Sequence, residues 1–284
     1  MNLKNLVYRI LRLFKRLNYT IAHVIDLSPN DLLKNKTALI TGGTSGIGFA
    51  IAKAFLKSGA TVIITGRSVD RIEKSIKELS DSRNEIYGIV LDNTDISSFE
   101  GKLNDILSML NGRKLDILVN NAGINNPHSI KDVIEKEYDD IMNTNLKGTY
   151  FLSQIVGRYM RDNKVHGHIL NIASSSSLRP AVAPYALSKW GLRGLTLGLA
   201  KAFIPYNIIV NGLAPGPTAT PMMMNDASHI EHPNLPLGRY IMPEEIANMA
   251  VVLCSDMSCA VVGDIVYMTG GAGLVSLEGD NYNF

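Results

Sequence analysis

Tyr185 and Lys189 are four residues apart, a spacing that puts two side chains on one face of a helix. An ammonium held beside a phenol favours the phenolate. It draws down a pKa that starts near ~10, toward a range where the oxygen can give and take a proton at neutral pH. A second constellation is Thr41-Gly42-Gly43-Thr44-Ser45-Gly46-Ile47-Gly48. The apolar run before it and the helical pattern after it make this a strand, a tight turn and a helix N-terminus. The unpaired N–H groups and positive dipole end of such a helix suit a dinucleotide pyrophosphate, and glycines let the backbone come close. Taken alone, either feature has an ordinary explanation, as a surface ion-spaced pair or as a simple turn. His229 and His232 have no Asp, Glu or Cys cluster beside them, so no metal site is expected. Cys254 and Cys259 match no metal spacing and are expected to be buried free thiols of a reducing compartment.

The elements that must position these residues follow from periodicity. Apolar β-type runs occur at 37–41, 61–65, 86–91, 115–120, 168–172, 207–211 and 264–268, with helical patterns between them. Strands alternating with helices predict βαβ units, and therefore a Rossmann-like, doubly wound α/β fold whose mostly parallel seven-stranded sheet has helices on both faces. A chain of 284 residues with 46% hydrophobic and 19% charged residues can bury such a core, which excludes a disordered chain. No linker or repeat divides residues 35–284, which are expected to form a single domain.

Residues 1–34 read as an addition. Leu3, Leu6, Val7, Ile10, Leu13, Phe14, Leu17 and Ile21 recur at helical spacing with basic residues between them. Lys4, Arg9, Arg12, Lys15 and Arg16 all precede the first acidic residue, Asp26, and removing those five from a total of +2 leaves −3 on the rest. The basicity therefore belongs to the extension, and no nucleic-acid partner is expected. This amphipathic helix is expected either to pack on protein or to touch a membrane surface peripherally. Charges interrupt every apolar run, so a signal peptide is the least expected reading, and no stretch reaches membrane-spanning length.

Five motifs in one order resemble the short-chain dehydrogenase/reductase (SDR) family over about residues 35–271: the TGxxxGxG turn, Asn120-Asn121-Ala122-Gly123, Asn145-Leu146-Lys147-Gly148, a serine-bearing strand end, and Tyr185-x-x-x-Lys189. The resemblance implies hydride transfer between a nicotinamide cofactor and a carbonyl or secondary alcohol. Tyr185 would be the general acid or base, Lys189 would lower its pKa and hold the nicotinamide ribose, and Asn145 would organise a proton relay. Register against the strand points to Ser174 as the hydroxyl orienting the substrate oxygen, with Ser175 or Ser176 as alternatives. The cofactor would be held by Gly42, Thr44, Ser45, Gly46, Ile47 and Gly48, by Asp92 and Asn93 at the adenine, and by Asn120, Ala122 and Gly123. Pro215, Gly216, Thr218 and Thr220 would grip the carboxamide, and residues 222–233 would form a mobile substrate lid. Association through long helices at about 137–162 and 184–204, as a homodimer or homotetramer in the cytoplasm, is implied as well.

Cofactor preference is read from Thr65-Gly66-Arg67. Gly66 stands where an NAD-preferring fold usually carries an acidic residue, and the Arg67 guanidinium suits a 2′-phosphate, so NADP(H) is expected ahead of NAD(H). Two rival functions share these motifs in whole or part: a 3-ketoacyl reductase acting on acyl-carrier substrates, and a non-catalytic cofactor-binding or membrane-associated scaffold. The sequence leaves the substrate open.

Overall fold

Each apolar run becomes a strand: β1 (Thr37–Ile40), β2 (Thr61–Gly66), β3 (Ile86–Val90), β4 (Ile117–Asn120), β5 (His168–Ile172), β6 (Ile209–Pro215) and β7 (Ile265–Met268). The computed structural model describes residues 30–80, 85–126, 128, 130–224 and 230–273. The strands form one sheet in the order β3-β2-β1-β4-β5-β6-β7, every pairing parallel, with Leu39 opposite Ile63 on one side and Leu118 on the other. Side chains alternate across a strand, so neighbouring residues enter different cores. Ala38 and Ile40 join Ile51, Phe55, Ile246 and Ala250 on one face, and Leu39 joins Phe99, Leu103, Leu152 and Val156 on the other. Covering both faces is why these strands read as unbroken apolar runs.

The helices are α1 (Gly46–Lys57), α2 (Val69–Leu79), α3 (Phe99–Met109), α4 (Glu135–Met142), α5 (Gly148–Asp162), α6 (Pro184–Phe203) and α7 (Pro243–Leu253). Strand ends and helix starts collect at one edge of a parallel sheet, where ligands bind in open α/β folds.

Several details differ from the sequence expectation. The long helix expected at 137–162 is α4 and α5 joined by a π-helical turn, Asn143–Lys147, centred on Asn145. Such turns interrupt helices where side chains need another direction. β6 begins two residues late because Asn207 adopts a left-handed φ of 57° after the helical turn Ile204–Tyr206, and it runs on to Pro215, which pairs with Met268. Leu33, placed in the extension, is wholly buried in the core, with its N–H donated to the Ser58 carbonyl at 2.8 Å. The amphipathic pattern of residues 1–29 lies outside the described residues, as does His229.

Cys254 is buried, and burial pushes its thiol pKa up, whereas Cys259 is exposed rather than buried. Among the described residues no helix is long and apolar enough to cross a membrane.

Candidate active site

Two turns meet at the carboxyl edge of β1 and β4. Thr41 Oγ1 accepts the N–H groups of Asn121 and Ala122, each at 3.0 Å. The Asn121 side-chain amide donates back to the carbonyls of Thr41 at 3.0 Å and Gly42 at 3.1 Å. This reciprocal latch needs a bare backbone on the first turn. A Cβ at Gly48 would lie 2.4 Å from both the Gly42 oxygen and Asn121 Nδ2, and Gly42 itself has a φ of +64°. The glycine spacing thus serves the turn-to-turn contact as well as close approach of a ligand. Ser45, the N-cap of α1, makes no side-chain cap bond, and the first turn holds no acidic residue. Uncapped N–H groups at the positive end of a helix fit a pyrophosphate.

On the facing wall, Pro184 starts α6, its fixed φ and missing N–H costing nothing at that position. Tyr185 and Lys189 then follow on one face. Lys189 is buried and donates from Nζ to the Ile172 carbonyl at 2.8 Å, with Nζ 5.5 Å from the centre of the Tyr185 ring. Burial lowers its pKa from 10.5 to about 8. Burial raises the Tyr185 pKa above 10.0, and a hydrogen bond with Ser174 works against that rise. Burial thus acts on the phenol in the direction opposite to the one expected of Lys189.

Ser174 caps a 3-10 turn, accepting the Ser176 N–H at 3.1 Å and donating to the Ser176 hydroxyl at 3.2 Å. Ser177 is buried behind it, donating to the Ser174 carbonyl at 2.8 Å. Asn145 is fully buried. Its Oδ1 accepts the Ile124 N–H at 2.8 Å, and its Nδ2 donates to the Ile124 carbonyl at 2.9 Å and to the Ser188 hydroxyl at 3.1 Å. It therefore ties the loop after β4 to α6, one residue from Lys189.

Between the walls lies a cleft of about 470 Å³, a volume in the range of small-molecule sites. Gly42, Thr44, Ser45, Gly46, Ile47, Ala122, Gly123, Ser174, Tyr185, Lys189, Pro215, Gly216, Thr218 and Thr220 line it, together with Ser175 and Ser176. The other expected residues stand back from it. Gly48 and Asn145 support it from behind, as described above. Asn120 Nδ2 donates to Ser153 at 2.9 Å and to Asn171 at 2.8 Å in the core, so its neighbour Asn121 faces the cleft instead. Asp92 folds onto its own loop, accepting from the N–H of Thr94 at 2.9 Å and its hydroxyl at 2.8 Å. Asn93 is buried with Nδ2 unpartnered, an orphan donor consistent with a ligand contact at that edge. Arg67 is exposed at the end of β2.

Sequence reading did not single out Asn125 or Arg179, which also line the cleft. No local pattern marks either one, since each comes from a loop whose path the sheet determines. Met222 and Met223, assigned to the lid, line the cleft too, half exposed. Arg239 grips Glu245 with Nη1 and Nη2 at 2.9 Å each, fixing the return of that segment onto α7. Among the described residues no group of three His, Cys, Asp or Glu could hold a metal ion.

Comparison with known proteins points to one family. A family profile described as short chain dehydrogenase matches residues 36–231. The chain is similar to a 3-oxoacyl-(acyl-carrier-protein) reductase of Aquifex aeolicus, 34% identical over 84% of this chain and 98% of that protein. It is also similar to a 3alpha-hydroxysteroid dehydrogenase of Mediterraneibacter gnavus, 35% identical over 85% of this chain and 98% of that one. Among solved structures, a short-chain type dehydrogenase/reductase from Mycobacterium marinum superposes with a TM-score of 0.79 at 31% identity, covering 84% of this chain and 96% of its own.

Proposed function

The chain belongs to the short-chain dehydrogenase/reductase family and is a nicotinamide-dependent oxidoreductase of carbonyls and alcohols, and on that premise we propose that it is an NADP(H)-preferring carbonyl reductase whose proton donor is Tyr185. The observation that carries this reading is the meeting of Tyr185, Ser174 and Lys189 in one cleft with the uncapped start of α1. A dinucleotide bound there supplies or accepts the hydride at its nicotinamide ring. In reduction the phenol of Tyr185 gives its proton to the substrate oxygen as the C=O π bond becomes O–H. The Ser174 hydroxyl orients that oxygen; Ser174 lines the cleft with Tyr185, and its hydroxyl works against the rise of the phenol's pKa. Lys189 steadies the phenolate left behind, and Asn145 positions α6 through Ser188.

Gly66 and the exposed Arg67 support the phosphate-bearing cofactor. No acidic side chain stands at that strand end, and Arg67 has no hydrogen bond or ion pair among the described residues. A guanidinium–phosphate contact is worth about 1.5–3 kcal/mol. Arg67→Leu is therefore expected to raise KM for NADPH by about 10- to 100-fold and leave KM for NADH within about twofold. Steady-state reduction with both cofactors checks this, and a wild-type preference for NADH overturns the assignment.

Tyr138, Tyr150 and Leu197 on α4, α5 and α6 are 40%, 45% and 51% exposed. An apolar surface on these helices supports assembly as a homodimer or homotetramer. Sedimentation velocity of the full chain should give one of those masses, and a monomer at micromolar concentration refutes it.

A further inference from the structure

The two similar proteins named above differ in substrate, and cleft residues that hydride transfer does not use are free to set selectivity. Arg179 is such a residue. It lines the cleft with Tyr185, Ser176 and Met222. Arg113, Arg158, Arg161 and Arg239 each meet a carboxylate. Arg179 meets none among the described residues; its one acceptor is the Ala272 carbonyl, reached from Nη2. The side chain is exposed, and its remaining N–H donors have no protein acceptor among the described residues; Arg67, Arg71 and Arg193 also meet no carboxylate there, and of these four only Arg179 lines the cleft.

The backbone beneath it is fixed. The Arg179 N–H donates to the Ser176 carbonyl at 3.4 Å, its carbonyl accepts Trp190 Nε1–H at 2.8 Å, and Pro180 follows. Fixing the base of a long side chain lowers the entropy lost when it grips a ligand. Among the described residues lining the cleft there is no Asp or Glu, and the other cation, Lys189, is already engaged with Ile172. A neutral ligand closing over Arg179 would strip water from a guanidinium and return nothing, whereas an anion would replace that water with charge-assisted hydrogen bonds.

We infer that Arg179 is a specificity-determining subsite for an oxyanion on the substrate, a carboxylate or a phosphate, with Met222 and Met223 covering apolar substrate atoms nearby. The inference rests on the hydride-transfer reading only in placing the reacting carbonyl at Tyr185.

Two matched ligand pairs test it. One is a series of straight-chain oxo acids with one to five carbons between carbonyl and carboxylate, set against their methyl esters. The other is 3-oxobutanoyl-4′-phosphopantetheine against 3-oxobutanoyl-pantetheine. Dissociation constants are measured calorimetrically on full-length enzyme saturated with NADP+ or NAD+, where a ketone binds without turning over. In at least one pair the anion is expected to bind about 10-fold or more tightly than its neutral partner. Arg179→Gln should bring the two within about twofold while leaving NADP+ affinity and melting temperature unchanged, and Arg179→Lys should keep part of the discrimination.

A response of the acid pair identifies a carboxylate substrate, and a response of the pantetheine pair identifies a phosphate-bearing thioester; either supports the subsite. Equal affinities within both pairs, weak binding of all ligands included, overturn it, and so does discrimination that survives in Arg179→Gln. Because these complexes need no hydride transfer, failure of the subsite is separable from failure of Tyr185 chemistry, which turnover reads.

Discussion

Tyr185→Phe is expected to lower kcat for carbonyl reduction by at least about 100-fold and to leave cofactor affinity within about twofold. In the proposed mechanism the phenol is the proton source, and losing a positioned general acid typically costs 10²- to 10⁴-fold. Phenylalanine retains the ring packed near Lys189 and removes only the oxygen. The direction of the pKa matters too. Burial holds the phenol above 10.0 despite the Ser174 hydrogen bond, so at neutral pH the acid is already in its proton-donating form. Reduction should therefore hold through neutrality and fall on the alkaline side, while alcohol oxidation, which needs phenolate, should rise with pH. Initial rates in both directions, with cofactor binding followed by nicotinamide fluorescence, test this. Near-wild-type reduction by the variant would remove Tyr185 from the chemistry.

Lys189→Met should abolish most activity without unfolding the protein. The lysine pKa falls from 10.5 to about 8 on folding. At about 1.4 kcal/mol per unit, keeping the charged ammonium buried below pH 8 costs on the order of 3 kcal/mol. Between about pH 8 and 10.5 the unfolded chain binds more protons than the folded one, so wild-type stability rises with pH across that window. Methionine removes this cost and leaves the Ile172 carbonyl, to which Lys189 Nζ donates, without that donor, a penalty of about 1–3 kcal/mol. The two effects nearly cancel. Urea unfolding of the cofactor-free protein at pH 7 should place the variant within about 1–2 kcal/mol of wild type, and its stability should lack the alkaline rise. Reduction should drop by at least about 100-fold, because no cation then steadies the phenolate. Destabilisation well beyond 3 kcal/mol at pH 7 would mean that the lysine serves the fold first.

The sequence by itself determined what is local along the chain. Short apolar runs and period-3.6 patterns marked the strands and helices, because a strand covered on both faces is apolar throughout and residues four apart share a helix face whatever surrounds them. For the same reason the shared face of Tyr185 and Lys189 and the turn of Gly42 to Gly48 were legible, and the order of these motifs carried the family. Tertiary structure decided what depends on contacts across the sheet. Asn120 and Asn121 are adjacent and identical in type, yet one enters the core with Ser153 and Asn171 while the other latches Thr41 and Gly42. Asn145 spends its amide on Ile124 and Ser188, a use visible only once the π-helical turn sets it between two elements. Arg179 looked like any loop arginine until the ends of β5 and β7 brought it and Ala272 to one wall of the cleft. Periodicity reports the face of an element, and only packing reports what that face meets.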